Sequence, residues 1–246
     1  MKLSLMIFQL TTIILSSMYP NSIYKLLQIS DSAFPRGSFA HSLGLESYVD
    51  NKKIIDSTSL NRLIENLLKH SVGTLDAVYL KESYNLTKER DLEKILRLDI
   101  EFHATKPISS LRNASHSVGK EFLRTSHEFL QNDHIGEYLN QINNDSAYGH
   151  YPITFGVVSS VMDIPLEQTM ESFFFGFVSS LVSAGVRLIP IGQTDGQRII
   201  AKMEKLLPQI IEDSLTRTIS ESFSFAPAHE IQAMSHHRLH TRLFIS

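Results

Sequence analysis

An all-α fold follows from three features of the chain. Apolar residues recur at helical spacing along most of the sequence, no stretch alternates as a half-buried strand would, and proline, glycine and small polar residues punctuate the periodic runs at helix-length intervals. At 246 residues the chain is within the range of one core. The expected architecture is a single-domain bundle of about ten helices, with a central buried helix and an extended C-terminal tail. Residues 1–21 read as an N-terminal apolar extension, 22–221 as the helical domain and 222–246 as the tail.

The extension carries one lysine and then a broken apolar run through Leu15. It resembles the apolar part of a signal peptide, but Gln9, Thr11 and Thr12 interrupt it and no small-x-small cleavage site follows. It is too short to span a bilayer. An amphipathic extension, or a start at Met18, is the reading preferred over secretion. Ser22 to Ile29 is a short apolar segment. Asp31 to Ser38 is a loop, because Pro35 disfavours helix before it and Gly37 permits a positive φ. Ser38 is then placed to cap a helix running to about Asp50. Asp56 caps the next, whose Leu60, Leu63, Ile64, Leu67 and Leu68 fit the one-face template. Gly73 breaks that pattern, and Leu75, Val78 and Tyr79 resume it. Leu92, Ile95, Leu96 and Phe102 mark a helix ending before Lys106-Pro107. A stripe from Ile108 to Phe129 is long enough for six turns. Asn140 to Gly149 reads as a loop, and His150-Tyr-Pro152 opens a helix with Phe155, Val158 and Met162 inward.

Asp163-Ile-Pro165 is a turn. Leu166 to Leu188 follows, apolar almost all round, and is the predicted central helix. Thr194 and Gln197 have capping-box spacing for a helix carrying Ile199, Ile200, Met203, Leu206, Leu207, Ile210 and Ile211, with a bend at Pro208.

Composition narrows function. A net charge of -3 gives no electrostatic case for nucleic acid. Without cysteine there are no disulfides, thiolate zinc sites or cysteine nucleophile, which fits a reducing compartment. No Gly-x-Ser-x-Gly elbow or P-loop occurs, and Asp195 would repel a phosphate from the Gly192–Gly196 turn. Glu46, Glu82 and Glu101 read as carboxylates on solvated helix faces. His41 and His150 sit at helix starts, where capping or a local hydrogen bond explains them. His236 and His240 are four apart and could share a helix face as metal ligands, with His229 and His237 near. The tail combines arginines with Leu243 and Phe244, residue types that anchor interfaces.

Four segments carry a resemblance to the urease accessory protein UreF family. They are Asp31 to Glu46 (DSAFPRGSFAHSLGLE), Gly149 to Gly156 (GHYPITFG), Arg187 to Gln197 (RLIPIGQTDGQ) and Arg242 to Ser246 (RLFIS). The match covers about Ile23 to Ser246. Phe39 stands where the family often has tyrosine, so it lacks that hydroxyl, and Ile245 stands where many members have arginine. The resemblance implies a non-enzymatic, cytoplasmic, all-helical and dimeric chaperone. It would bind the UreD/UreH accessory protein and recruit the GTPase UreG, delivering nickel to apo-urease. No tightly bound cofactor is implied, since nickel is handled by the assembled complex, and no membrane or nucleic acid takes part. The candidate partner-binding residues are Phe39, His41, Glu46, Arg187, Gln193, Asp195, Gln197, Arg238, Arg242, Leu243 and Phe244; of these Arg187, Gln193, Asp195 and Gln197 either contact a partner or position the loop. A carrier that holds nickel itself through His236 and His240 is the alternative.

Overall fold

A computed structural model describes residues 22–37, 40–239 and 242–245. The readings of residues 1–21, of Ser38 and Phe39, and of His240 lie outside the described residues. Among the described residues the chain is helical throughout, without strands. The helices are α1 (Ser22–Ser30), α2 (Leu45–Asp50), α3 (Ser57–Leu67), α4 (Ala77–Lys88), α5 (Leu92–Thr105), α6 (Ser109–Leu130) and α7 (Asp133–Asn143). They continue with α8 (Tyr151–Val161), α9 (Leu166–Leu188), α10 (Gln193–Glu204), α11 (Leu207–Thr216) and α12 (Pro227–Ser235). A π-helix, Leu68–Asp76, joins α3 to α4 without a break, and 3₁₀ turns cover Ile219–Glu221 and His236–Arg238.

Short polar side chains set the helix starts. Asp56 accepts the Ser59 N–H at 2.8 Å while Ser59 Oγ takes the Asp56 N–H, a reciprocal cap. Asp91 accepts from Lys94 N at 3.0 Å, and Asn132 accepts from His134 and Ile135 N.

The core is built around α8, which lies between α4 and α6. Gly156 is what lets α4 and α8 approach, because a Cβ there would collide with the Leu80 carbonyl and Ser83 Oγ. Hydroxyls then cross the seam: Ser83 Oγ donates to Ile153 O at 3.1 Å, Ser160 Oγ to Tyr84 O at 2.9 Å and Tyr84 OH to Ile164 O at 2.8 Å. The α9 helix has the bounds its composition predicts. By length and apolarity alone it could cross a membrane, but 56% of its most apolar window is buried inside the protein, as in a core helix. Phe173, Phe174, Val178, Leu181 and Val182 face inward, while Phe175 stays 46% exposed.

Several boundaries differ from the sequence reading, each for a local reason. Leu43 and Gly44 have positive φ (51° and 85°), so α2 begins only at Leu45 rather than at Ser38. Gly73 widens the helix into a π segment instead of ending it. A Cβ there would lie 2.6 Å from Ile210 Cγ2, so the glycine makes room for α11. Gln131 turns the chain at φ 47°, and the separate α7 extends to Asn143, where a loop from Asn140 is expected. The last long helix is divided rather than bent: α10 stops at Glu204, and Pro208 sits in the first turn of α11. The tail contains α12 and folds back along the rest of the chain.

Candidate functional site

The last described residues are tied to α2 through one buried carboxylate. Glu46, on α2, accepts the Leu243 N–H on Oε1 at 2.6 Å and the Phe244 N–H on Oε2 at 3.3 Å, and His236 Nε2 lies 3.1 Å from that same Oε2. Ile245 N donates to Ala40 O at 2.8 Å, closing the same seam one residue further on. Glu46 and His236 are both buried. A buried carboxylate has to be saturated with donors, and here the tail supplies them. With its backbone fixed in this way, Phe244 enters the core at 4% exposure while Leu243 and Ile245 point outward. The Arg187 guanidinium, at the end of α9, lies 4.5 Å from the centre of the Phe244 ring.

The turn after Arg187 is capped differently from the expected Thr194/Gln197 box. The helix starts two residues earlier, with Gly192 as N-cap, and Asp195 Oδ2 accepts the Gly192 N–H at 3.3 Å. Asp195 Oδ1 pairs with Arg198 at 2.7 Å. Gly196 is buried where a Cβ would lie 2.8 Å from Val182 Cγ1, which fixes α10 on α9. Local structure thus accounts for Asp195. Gln193, Thr194 and Gln197 are exposed, and no hydrogen bond holds the two glutamine side chains among the described residues.

The tail reaches Glu46 along a prepared track. Two backbone carbonyls of the π segment, those of His70 and Thr74, accept from the tail. Phe225 N donates to His70 O at 2.7 Å and Phe223 N to Thr74 O at 3.1 Å, so an extended strap, residues 222–226, satisfies them. Thr74 Oγ1 returns a bond to Phe223 O at 2.6 Å. Beyond the strap α12 packs on α2, with Gly44 so close to Ala233 that a Cβ would sit 3.3 Å from its Cα. His229 stacks on Tyr48 (ring centres 6.1 Å apart), and burial, then the nearby Lys106 charge, push its imidazole down to about 4. Its Nδ1 is buried without a hydrogen-bond partner. Burial also lowers His41, which is half-buried beside a cavity of about 160 Å³ lined in part by Arg36, Lys106, Tyr151 and His229.

The segment around His150 is held from beneath by Asp99. This fully buried carboxylate accepts the N–H groups of Tyr148 (2.6 Å), Gly149 (2.6 Å) and His150 (3.1 Å). Burial pushes its carboxyl up, against the pull of those amides. His150 is driven down to about 2, first by burial and then by Lys106, and meets His103 Nδ1 at 3.1 Å and Ser115 Oγ at 3.2 Å. Arg36 donates to Tyr151 OH at 2.7 Å, linking this segment to the one that carries Glu46.

The predicted residues therefore gather in part. Glu46, Arg187, Leu243 and Phe244 meet directly, and Arg238 and Arg242 flank them on the surface. Gln193 and Gln197 lie on the turn beyond Arg187. Of the metal pair expected from His236 and His240, His240 lies outside the described residues. The 3₁₀ turn ends at Arg238, Leu239 is extended, and His236 is committed to Glu46. Arg36, Asp99 and Gln232 are buried polar residues that the sequence reading did not single out, and His229, named there only as a neighbour of the His236/His240 pair, is buried as well. For Asp99 a signal existed: it lies four residues after Ile95 and three before Phe102, on the apolar stripe of α5.

Among the described residues the body is all-helical, one buried carboxylate (Glu46) holds the last described residues, and arginine and apolar side chains are exposed beside it. The UreF family model matches residues 54–204. The chain is 31% identical over 226 residues to the urease accessory protein UreF of Bacillus sp. (strain TB-90), covering 92% of this chain and all of that one. It is 29% identical over 221 residues to the UreF of Actinobacillus pleuropneumoniae serotype 5b (strain L20), covering 90% and 97%. With the UreF of Sporosarcina pasteurii the identity is 28% over 202 residues, covering 82% and 100%. The chain belongs to the urease accessory protein UreF family, whose role is accessory to urease maturation and not itself catalytic.

Proposed function

We propose that this chain is a cytoplasmic adaptor of urease metallocentre assembly. Acting as a homodimer, it binds the UreD/UreH accessory protein through its C-terminal surface and recruits the GTPase UreG. The complex so formed passes nickel to apo-urease as cargo. The observation that carries the reading is the Glu46 pin, which holds the last described residues so that Arg242, Leu243 and Ile245 stay outward. Exposed apolar and arginine side chains on a rigidly held backbone are what an interface needs, because little ordering entropy is lost on binding. Arg187, Gln193 and Gln197 extend the surface along the neighbouring turn.

The test is a chain lacking Arg238 to Ser246. It should keep its helical circular dichroism and fail to co-purify with UreD/UreH and UreG from cells making the whole urease gene set. Normal assembly by the shortened chain would refute the reading.

A further inference from the structure

The cavity of about 160 Å³ beside His41 lies between α6 and α9, bordered by the π segment and by the loop that joins α1 to α2. Val72, Leu111, Val118, Phe173 and Phe177 give it apolar walls. One end is polar. Arg36 Nη1 donates to Tyr151 OH at 2.7 Å, and a Cβ on Gly176 would meet Arg36 Nη2 at 3.6 Å, so the guanidinium spans from α8 to α9. The phenol oxygen accepts from Arg36, and its own proton has no acceptor among the described residues. Burial raises the phenol against the pull of Arg36, so that proton is kept at neutral pH. Ser180, one turn beyond Gly176, lines the same cavity, and its hydroxyl has no partner among the described residues. Asp76, the carboxylate of the lining, is already paired with Lys106 at 2.8 Å.

Size, apolar walls and a head of hydroxyl donors specify the occupant. An apolar cavity of roughly 150 Å³ holds benzene, so this one accepts a body of about six carbons. We infer that the cavity is a binding site for a small monocarboxylic acid with a flat or branched apolar body, its carboxylate received by Tyr151 and Ser180 in the field of Arg36. A carboxylate offers acceptors only and matches both hydroxyls. A cation would face the guanidinium, and a wholly apolar molecule would leave the phenol proton unpaired. A smaller pocket of about 30 Å³ shares Arg36, Gly176 and Ser180 with the cavity and is otherwise lined mostly by serines, of which Ser32 is exposed. The polar end is therefore reached from solvent past small side chains. The loop between α1 and α2 lends Arg36, His41 and Leu43 to the wall, so a bound acid braces the segment that leads into the helix of Glu46. This goes beyond the adaptor reading and does not depend on it.

The experiment titrates the full chain with benzoate, toluene and benzylamine, which share a ring and differ in the head group. Binding is read by calorimetry and by the shift in melting temperature. Benzoate should bind saturably, with Kd at or below about 1 mM, and raise the melting temperature. Benzylamine should bind at least ~10-fold more weakly. Tyr151→Phe keeps the ring and removes the donor. It should weaken benzoate ~10-fold and leave toluene unchanged, a split that general loosening of the fold would not produce. Ser180→Leu, which fills the polar end, should abolish benzoate binding and keep the helical spectrum. No saturable benzoate binding by the wild type, benzylamine binding as tight as that of benzoate, or benzoate binding unchanged in both variants overturns the inference. The adaptor reading stands apart from all three outcomes, because assembly with the partners tests it.

Discussion

Glu46 and His236 share a hydrogen bond of 3.1 Å at a point where both side chains are buried. Together with the Leu243 and Phe244 amides, the imidazole brings three N–H donors onto two carboxylate oxygens. The geometry needs a carboxylate and not merely a side chain of its size. In Glu46→Gln one oxygen becomes an amide nitrogen, so at least one donor is left facing another donor. Each buried, unsatisfied donor costs about 1–3 kcal/mol. The variant should keep the helical spectrum and lose hydrogen-exchange protection at Leu243 and Phe244. Unchanged protection at those two amides would show that something other than Glu46 holds the terminus.

The turn after Arg187 separates a structural residue from exposed ones. Asp195→Ala removes the acceptor for the Gly192 N–H and should lower stability by about 1 kcal/mol, the usual worth of a cap. Gln193→Ala removes nothing that the fold uses. If Gln193 meets a partner, its variant will melt with the wild type and assemble poorly with UreD/UreH and UreG. Equal assembly by Gln193→Ala and wild type would remove this residue from the docking surface.

His229 makes the seating of α12 depend on pH, and the sign follows from its lowered value. The unfolded chain takes up the proton near 6.5, whereas the folded one resists until about 4. Between those values the unfolded state binds more protons, so stability rises with pH. The contribution is complete above about 6.5 and is lost progressively as pH falls toward 4. From pH 7 to pH 5 this amounts to about 2 kcal/mol for a group this deeply buried. Urea unfolding of wild type and His229→Phe, a ring that keeps the Tyr48 stacking, should therefore diverge as pH drops, with the wild type losing more. Parallel pH dependences for the two proteins would contradict this account.

Much of the helical framework is legible in the sequence because it depends on local rules. Asp56 caps where its spacing says, Pro165 precedes a helix that begins at Leu166, and α5 ends before Lys106-Pro107. What escapes is decided by contacts distant in the chain. Gly73 looks like a break until Ile210 is seen to need its space. Glu46 reads from its own neighbourhood as a solvated carboxylate, since α2 has only six residues and shows no period from which to judge its buried side. Its partners lie 190 to 198 residues further on. Resemblance to the family picked it out; spacing did not. Gly192 escaped for another reason, because glycine offers no side chain as a cap and the reciprocal bond comes from Asp195 instead.

The separation between Glu46 and Leu243 also governs when the surface comes into being. Helices such as α3 to α6 can form as the chain is synthesised, from residues already made. The pin cannot close before Leu243 and Phe244 have left the ribosome, almost two hundred residues after Glu46. A nascent or truncated chain thus displays the scaffold without the face that follows from the pin. A partner that read this face would engage only chains in which synthesis has passed Phe244, so the face would report that both halves of the pin have been made.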